Sequence, residues 1–368
     1  PNGLEEFQEQ IALHRGLIED LFNQKAISIE NTEFLYNNNL ALSVYRLGFR
    51  VMLTEGVDRV LGTRSPNYVY RAYGCDLRLL LRNYRLSDDI GFRFSDVSWD
   101  QYPLTADKYS LWLKSTPGDV ILIAMDYETF GEHHWPESGI QEFLKWLVRR
   151  CVEIGVEMLK VSTAALEHEV KDIYDIPPWH TISWADVEKD TSAWLGNIMQ
   201  RRCFEIYTWI EPYVKAIGGE YLKYWRLLGI SDHYHYMSTK TGGPGEVHSY
   251  FSPYTNPFEA FEVYIETLTL LVHFTLMEYR EKVYKYAWRI KLPSGMAFHF
   301  YLTEDVYTGY RARSLPEFLE LLEVVPPESI VYHVRRGDIQ NWISTTLLWP
   351  ELSHEIDKIR EISEVKLL

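Results

Sequence analysis

The apolar run ILIAM at 121–125 breaks off abruptly into Asp126, Glu128, Glu132, His133, His134 and Trp135. A buried strand that hands over at once to so many ionisable groups has two readings. Either the strand exits into solvent, or its C-terminal end floors an active site. The pattern recurs upstream, where a short apolar segment leads into NTE at 31–33 and another ends as MLTEG at 52–56. Strand-terminal acids from different parts of a chain are the groups that acid–base and nucleophilic catalysis employ. Only a fold that gathers strand ends on one face can bring Glu33 and Asp126 together, because they are 93 positions apart.

The elements that must do this alternate along the first half of the chain. Apolar residues at helical spacing predict helices over 3–23, 40–47, 107–112 and 139–154. Short strands are predicted at 26–29, 49–54, 77–81, 120–125 and 158–161, with 89–94 in a loop. Strand and helix in alternation favour a parallel α/β sheet, and such sheets carry their chemistry at strand C-termini. From about residue 183 the texture changes to long amphipathic helices, over 192–213, 219–228 and 256–286. Between the last two lies the aromatic loop SDHYHYMSTKTGGPGEVHSYFSPYTNP, punctuated by Gly242, Gly243, Pro244 and Gly245. From 292 onward a strand at 296–302, a short helix, a Pro-Pro break and a further strand read as a small α+β appendage.

The totals narrow the function classes. The chain has 368 residues, enough for two or three domains. A net charge of −15 speaks against a nucleic acid partner, whose binding needs Lys and Arg to displace counterions. The longest apolar run, at 267–277, is about half of what a membrane span requires. Cys75, Cys151 and Cys203 are scattered and form no CxxC pair, which points to a reducing, cytoplasmic setting. Aromatic residues reach 15% of the chain, and they suit both large cores and stacking platforms for sugars or bases.

Three stretches, in order, resemble glycoside hydrolase family 57, in its α-amylase-like branch. NTEFLYNNNLA at 31–41 looks like the region holding the family's nucleophilic glutamate, here Glu33. MDYETFGEHHWPESG at 125–139 looks like the region whose strand-terminal aspartate is the general acid/base, here Asp126. SDHYHYMSTKTGGPGEVHSYFSPYTNPFEAF at 231–261 is similar to a region of the family's helical domain. The resemblance implies an α/β fold: an incomplete (β/α)7-type barrel over 1–182, a helical domain over 183–291 completing the cleft, and the α+β appendage over 292–368. It implies a retaining enzyme that cleaves or transfers α-1,4-glucosidic bonds of α-glucans or maltooligosaccharides, with no cofactor and no catalytic metal. The family's first two conserved regions, one with His-Gln-Pro, would lie before Glu33, where this chain has 32 residues and no such motif. The barrel is therefore expected to be open unless a missing N-terminal segment or a partner polypeptide fills it. The alternative is a catalytically incomplete homologue that binds glucan or serves as a partner subunit.

In the retaining mechanism one carboxylate attacks the anomeric carbon while the other protonates the leaving oxygen, at a separation of roughly 5–5.5 Å. The acid needs a raised pKa, for which the charge of Glu33 and desolvation by Trp135 are the candidate sources. Glu55 is the rival nucleophile, with a structural role as its alternative. Glu128, one strand period beyond Asp126, would share its face and either tune it, bind substrate or form a structural ion pair. Asp88 and Asp89 either pair with Arg82 and Arg85 or bind sugar hydroxyls. His133, Trp135, His233 and Tyr236 are candidate substrate contacts, with core packing as the alternative. His233 and His235 lack further ligands at metal spacing. The glycine-rich loop after them is expected to close over the carboxylates and bring His233 or Tyr236 to the substrate.

Overall fold

The computed structural model describes residues 4–240 and 252–365. The chain forms two compact units, one built on Gly3–Ala193 and the other on Trp194–Thr239 together with residues 252–365.

The first unit is organised by a five-stranded sheet in the order β1-β2-β4-β3-β5. β1 (Ser28–Glu30), β2 (Val51–Glu55) and β4 (Arg78–Arg82) run parallel, with Ile29 beside Met52 and Met52 beside Leu79. β3 (Val69–Ala72) is antiparallel to β4, and β5 (Val170–Tyr174) is parallel to β3. The sheet is thus mixed, and β3 lies in a stretch for which no strand was expected. Side chains alternate across it as strand geometry demands. Met52, Leu79 and Leu81 enter one core with Tyr36, Tyr70 and Tyr174, while Val51, Val69 and Leu80 enter another with Ala164 and Ala165. Helix Leu4–Phe22 turns Phe7 and Ile11 toward the first core, and Leu13, Leu17 and Leu21 are more than half exposed. Asn37 caps helix Asn38–Arg46, accepting from the backbone N–H groups of Asn39 and Leu40 at 3.0 Å each.

Several expected elements differ, each for a local reason. The 120–125 run is not a ladder strand. It makes one parallel bridge, Leu122 to Arg82, with the Asn83 N–H donating to the Leu122 carbonyl at 2.9 Å. Side chains take over the neighbouring backbone groups: Arg82 Nε donates to the Ala124 carbonyl at 2.7 Å, and the Ala124 N–H donates to Ser87 Oγ at 3.2 Å. The run starts from Gly118, whose φ of +139° and close approach to Asn67 leave no room for a Cβ. Residues 84–91 form a helix, capped by Asn83, so Asp89, expected in a loop, is helical along with Asp88. The strand expected at 158–161 is replaced by helix Val161–Glu167, which packs Ala164 and Ala165 on the sheet, and the strand follows as β5.

In the second unit, helices Ile198–Ile217, Gly219–Leu228 and Pro257–Glu281 share one core with the hairpin β6 (Phe298–Thr303) and β7 (Val306–Ala312) and the helices that follow it. Tyr213, Trp225, Tyr279, Phe300 and Trp342 belong to that core. The strand expected after Pro-Pro is instead helix Pro327–Arg336, with Pro327 in the first turn, where its missing N–H costs no hydrogen bond. Helix Pro257–Glu281 is long and apolar enough to cross a membrane by length and composition, with 22% of its apolar window buried within the unit.

Candidate active site

β1 ends at Glu30 and the chain turns sharply through Asn31–Leu35. Glu33 and Phe34 both have left-handed backbones, with φ of 57° and 52°. For non-glycine residues such conformations cost about 1–3 kcal/mol each and persist only where the surroundings over-determine them. Here the surroundings do. Asn31 Nδ2 donates to the Leu35 carbonyl at 3.0 Å and Thr54 Oγ1 to the Phe34 carbonyl at 3.1 Å. The Trp184 N–H donates to the Glu33 carbonyl at 3.1 Å. The Trp184 ring stacks on Phe34 at 4.7 Å, and its Nε1 donates to Glu33 Oε2 at 2.7 Å.

Beneath this turn is a buried charge cluster. Glu55, fully buried, accepts from Arg82 Nη1 at 3.0 Å and forms an ion pair with Lys189 Nζ at 3.1 Å. Arg82 Nη2 reaches Asp88 at 2.6 Å. Two cations face two carboxylates, which compensates the desolvation of each. Burial lowers the Lys189 pKa, while Glu55 holds it up. These ion pairs give Glu55 a structural role, the alternative weighed for it in sequence. Asp88 pairs with Arg82 as one reading anticipated, whereas Arg85 pairs with Asp58 and Arg93 with Asp89.

Asp126 follows the bridged segment and opens a tight turn, Tyr127–Phe130, with the Thr129 N–H donating to its carbonyl at 3.2 Å. Because the chain turns here, Glu128 does not share a strand face with Asp126; both are exposed. Trp135 is 64% exposed, and the aspartate beside which it was expected to exclude water is open to solvent. His133 is half-buried. His134 is buried and serves the fold. Its Nε2 donates to the Ile90 and Gly91 carbonyls at 2.9 and 3.1 Å, which leaves Nδ1 to accept from Ser95 Oγ at 2.8 Å. Burial lowers its pKa. Two exposed aromatics had escaped the sequence reading, Tyr127 at 92% and Trp179 at 79%. For Tyr127 the signal was its place next to Asp126.

Glu30 was also missed. The residue keeps exposed surface at the end of the edge strand, yet its carboxyl pKa is pushed from 4.5 up to about 7. Protein packed around the carboxyl is the main cause. The Phe34 N–H pulls the other way, and the negative charges of Glu33 and Asp126 push up again. Glu33 and Asp126, remote in sequence, thus act on one carboxyl. A raised carboxyl pKa means that the folded state binds the proton more tightly than the unfolded chain. The resulting stability is full below about 4.5 and is lost as pH rises through about 7. Glu30→Gln, always neutral, is expected to flatten this slope. Thermal denaturation at pH 5 and pH 8 should show a smaller loss of Tm in the variant than in the wild type. Equal losses would remove Glu30 from the electrostatics of this site.

His233 and Tyr236 belong to the second unit. His233 lies in helix Ser231–His235, half-buried, with its ring 5.5 Å from that of Tyr264, and burial lowers its pKa. Tyr236 packs edge-on to Tyr254 at 5.9 Å. The glycine-rich part of the expected lid, 241–251, lies outside the described residues. Among the described residues no group of three or more His, Cys, Asp or Glu is arranged to hold a metal ion.

Residues 2–177 match the profile of glycosyl hydrolase family 57. A Methanocaldococcus jannaschii protein named "Putative alpha-amylase" is 47% identical over 274 residues, covering 72% of this chain and 58% of that protein. The chain thus spans little more than half the length of this relative. In structure it is similar to a family 57 branching enzyme of Thermococcus kodakaraensis. The TM-score is 0.55 at 13% identity, over 75% of this chain and 62% of the other. A branching enzyme of Pyrococcus horikoshii gives a TM-score of 0.51 at 14% identity, over 73% and 64%. At such identities the structural likeness speaks for the shared fold alone. The profile match over the sheet-bearing unit and the 47% identity carry the assignment: this chain belongs to glycosyl hydrolase family 57.

Proposed function

We propose that this chain supplies the catalytic carboxylates of a retaining enzyme acting on α-1,4-linked glucans, with Glu33 as nucleophile and Asp126 as general acid/base. The observation that carries the reading is the family 57 match over residues 2–177, which contains both Glu33 and Asp126, and the charges of both acids bearing on the Glu30 carboxyl support it. Two acids whose charges both reach a third support a shared neighbourhood, which a two-carboxylate mechanism requires. Attack by Glu33 forms a glycosyl ester while Asp126 protonates the departing oxygen. Asp126 then takes a proton from water, or from a sugar hydroxyl, as that acceptor resolves the ester. The rigid, strained turn under Glu33 suits a nucleophile that must not reorient between the two steps. Exposed Tyr127 and Trp135 offer flat apolar faces for sugar rings, with Glu128 and His133 as hydroxyl partners. The open edge of β1 fits a barrel completed by a preceding segment or a partner polypeptide. Three free cysteines suit a reducing, cytoplasmic setting.

The test is the stereochemistry of the first product. With a maltooligosaccharide as substrate, proton NMR of the full-length protein's reaction should show the α-anomer appearing before mutarotation. Initial β-anomer would overturn the retaining assignment. Glucan binding without cleavage would favour the alternative of a binding homologue.

A further inference from the structure

We infer that Trp184 is a positioning residue for the Glu33 carboxylate, holding Oε2 and thereby the direction from which the nucleophile attacks. The inference rests on Glu33 being that nucleophile. An indole has one donor and no acceptor, so the destination of its N–H is informative. Trp225 and Trp342 give theirs to backbone carbonyls, of Tyr207 and Met296, each at 3.0 Å. Trp184 gives its own to a carboxylate oxygen, at 2.7 Å, a length typical of charge-assisted hydrogen bonds. The same residue also donates its backbone N–H to the Glu33 carbonyl and stacks on Phe34, the second left-handed residue of the turn. One residue therefore grips the turn at backbone, ring and carboxylate.

The surroundings strengthen the donor. The Arg82 guanidinium lies 5.4 Å from the Trp184 ring centroid. A cation at that range draws on the π-cloud and makes the N–H a better donor. Arg82 is itself fixed by Glu55, Asp88 and the Ala124 carbonyl, two residues before Asp126. Contacts thus run from the segment carrying Asp126, through Arg82 and Trp184, to Glu33. If Trp184 were only filling space, a phenyl ring would serve as well.

Trp184→Phe keeps a ring against Phe34 and deletes the N–H. In the full-length protein with maltooligosaccharide, kcat is expected to fall roughly 10- to 100-fold with KM within about twofold, since small misplacements of a reacting group cost on this order. Independently, the indole N–H resonance of Trp184 in a 15N-labelled wild type should move on Glu33→Gln while the other indole resonances stay. That arm needs no folded Trp184 variant. Unchanged kcat in a folded Trp184→Phe variant, or an indole spectrum indifferent to Glu33→Gln, overturns the inference. Failure of the underlying reading looks different: Glu33→Gln would then keep its turnover.

Discussion

Glu33→Gln is expected to lower turnover of maltooligosaccharide at least about 10³-fold, roughly 4 kcal/mol of transition-state stabilisation, with little change in thermal stability. The substitution keeps the volume and an acceptor oxygen for Trp184, so the turn survives while the proposed nucleophile is lost. Asp126→Asn should show a different signature. Its loss should be large on a maltooligosaccharide, whose leaving oxygen needs a proton, and much smaller on an aryl glycoside with a good leaving group. The contrast between the two substrates tells acid from nucleophile. If Glu33→Gln retains more than about a tenth of the wild-type rate, the nucleophile lies elsewhere. If Asp126→Asn is equally poor on both substrates, it is not the acid.

The second large effect is on stability. Arg82→Met is expected to cost about 3–5 kcal/mol, because it leaves Glu55 and Asp88 without the guanidinium that compensates their burial. Glu55 is fully buried and, among the described residues, would retain Lys189 as its cationic partner. The backbone carbonyl of Ala124 also loses its donor. Equilibrium denaturation in urea measures the cost. Combining Arg82→Met with Glu55→Gln should recover part of it, since the second change removes the uncompensated charge. A cost under about 1 kcal/mol would mean that water or other groups replace Arg82 at this cluster.

Much of the architecture was legible in sequence. Helix Gly219–Leu228 and helix Ile140–Glu153 follow directly from apolar spacing, and β2 and β4 from short apolar runs. What failed were runs whose fate depends on a distant partner. Residues 120–125 read as a buried strand, but Arg82 and Ser87 satisfy part of the backbone that a neighbouring strand would have taken. SIVYH after Pro-Pro is β-branched and apolar, yet the proline turn starts a helix there. The Glu33 and Asp126 segments stood out because each motif follows directly on a short apolar run. Glu30 did not, since nothing in its own surroundings in sequence reveals the two acids that act on it. Trp184 escaped for the same reason, being 151 positions from the carboxylate it holds.

That separation has a consequence for the order in which the site is made. The left-handed backbone at Glu33 and Phe34 is unfavourable on its own, and its restraints come from Thr54, 20 positions later, and from Trp184, 151 positions later. Closing the second loop costs entropy before any contact repays it. A nascent chain emerging from the ribosome can assemble β1, β2 and β4 while residue 184 is still unsynthesised. The carboxylate then acquires its final orientation only when the loop bearing Trp184 docks. Substitutions at Trp184 should accordingly speed unfolding and hardly change the folding rate, the kinetic mark of a contact formed after the transition state.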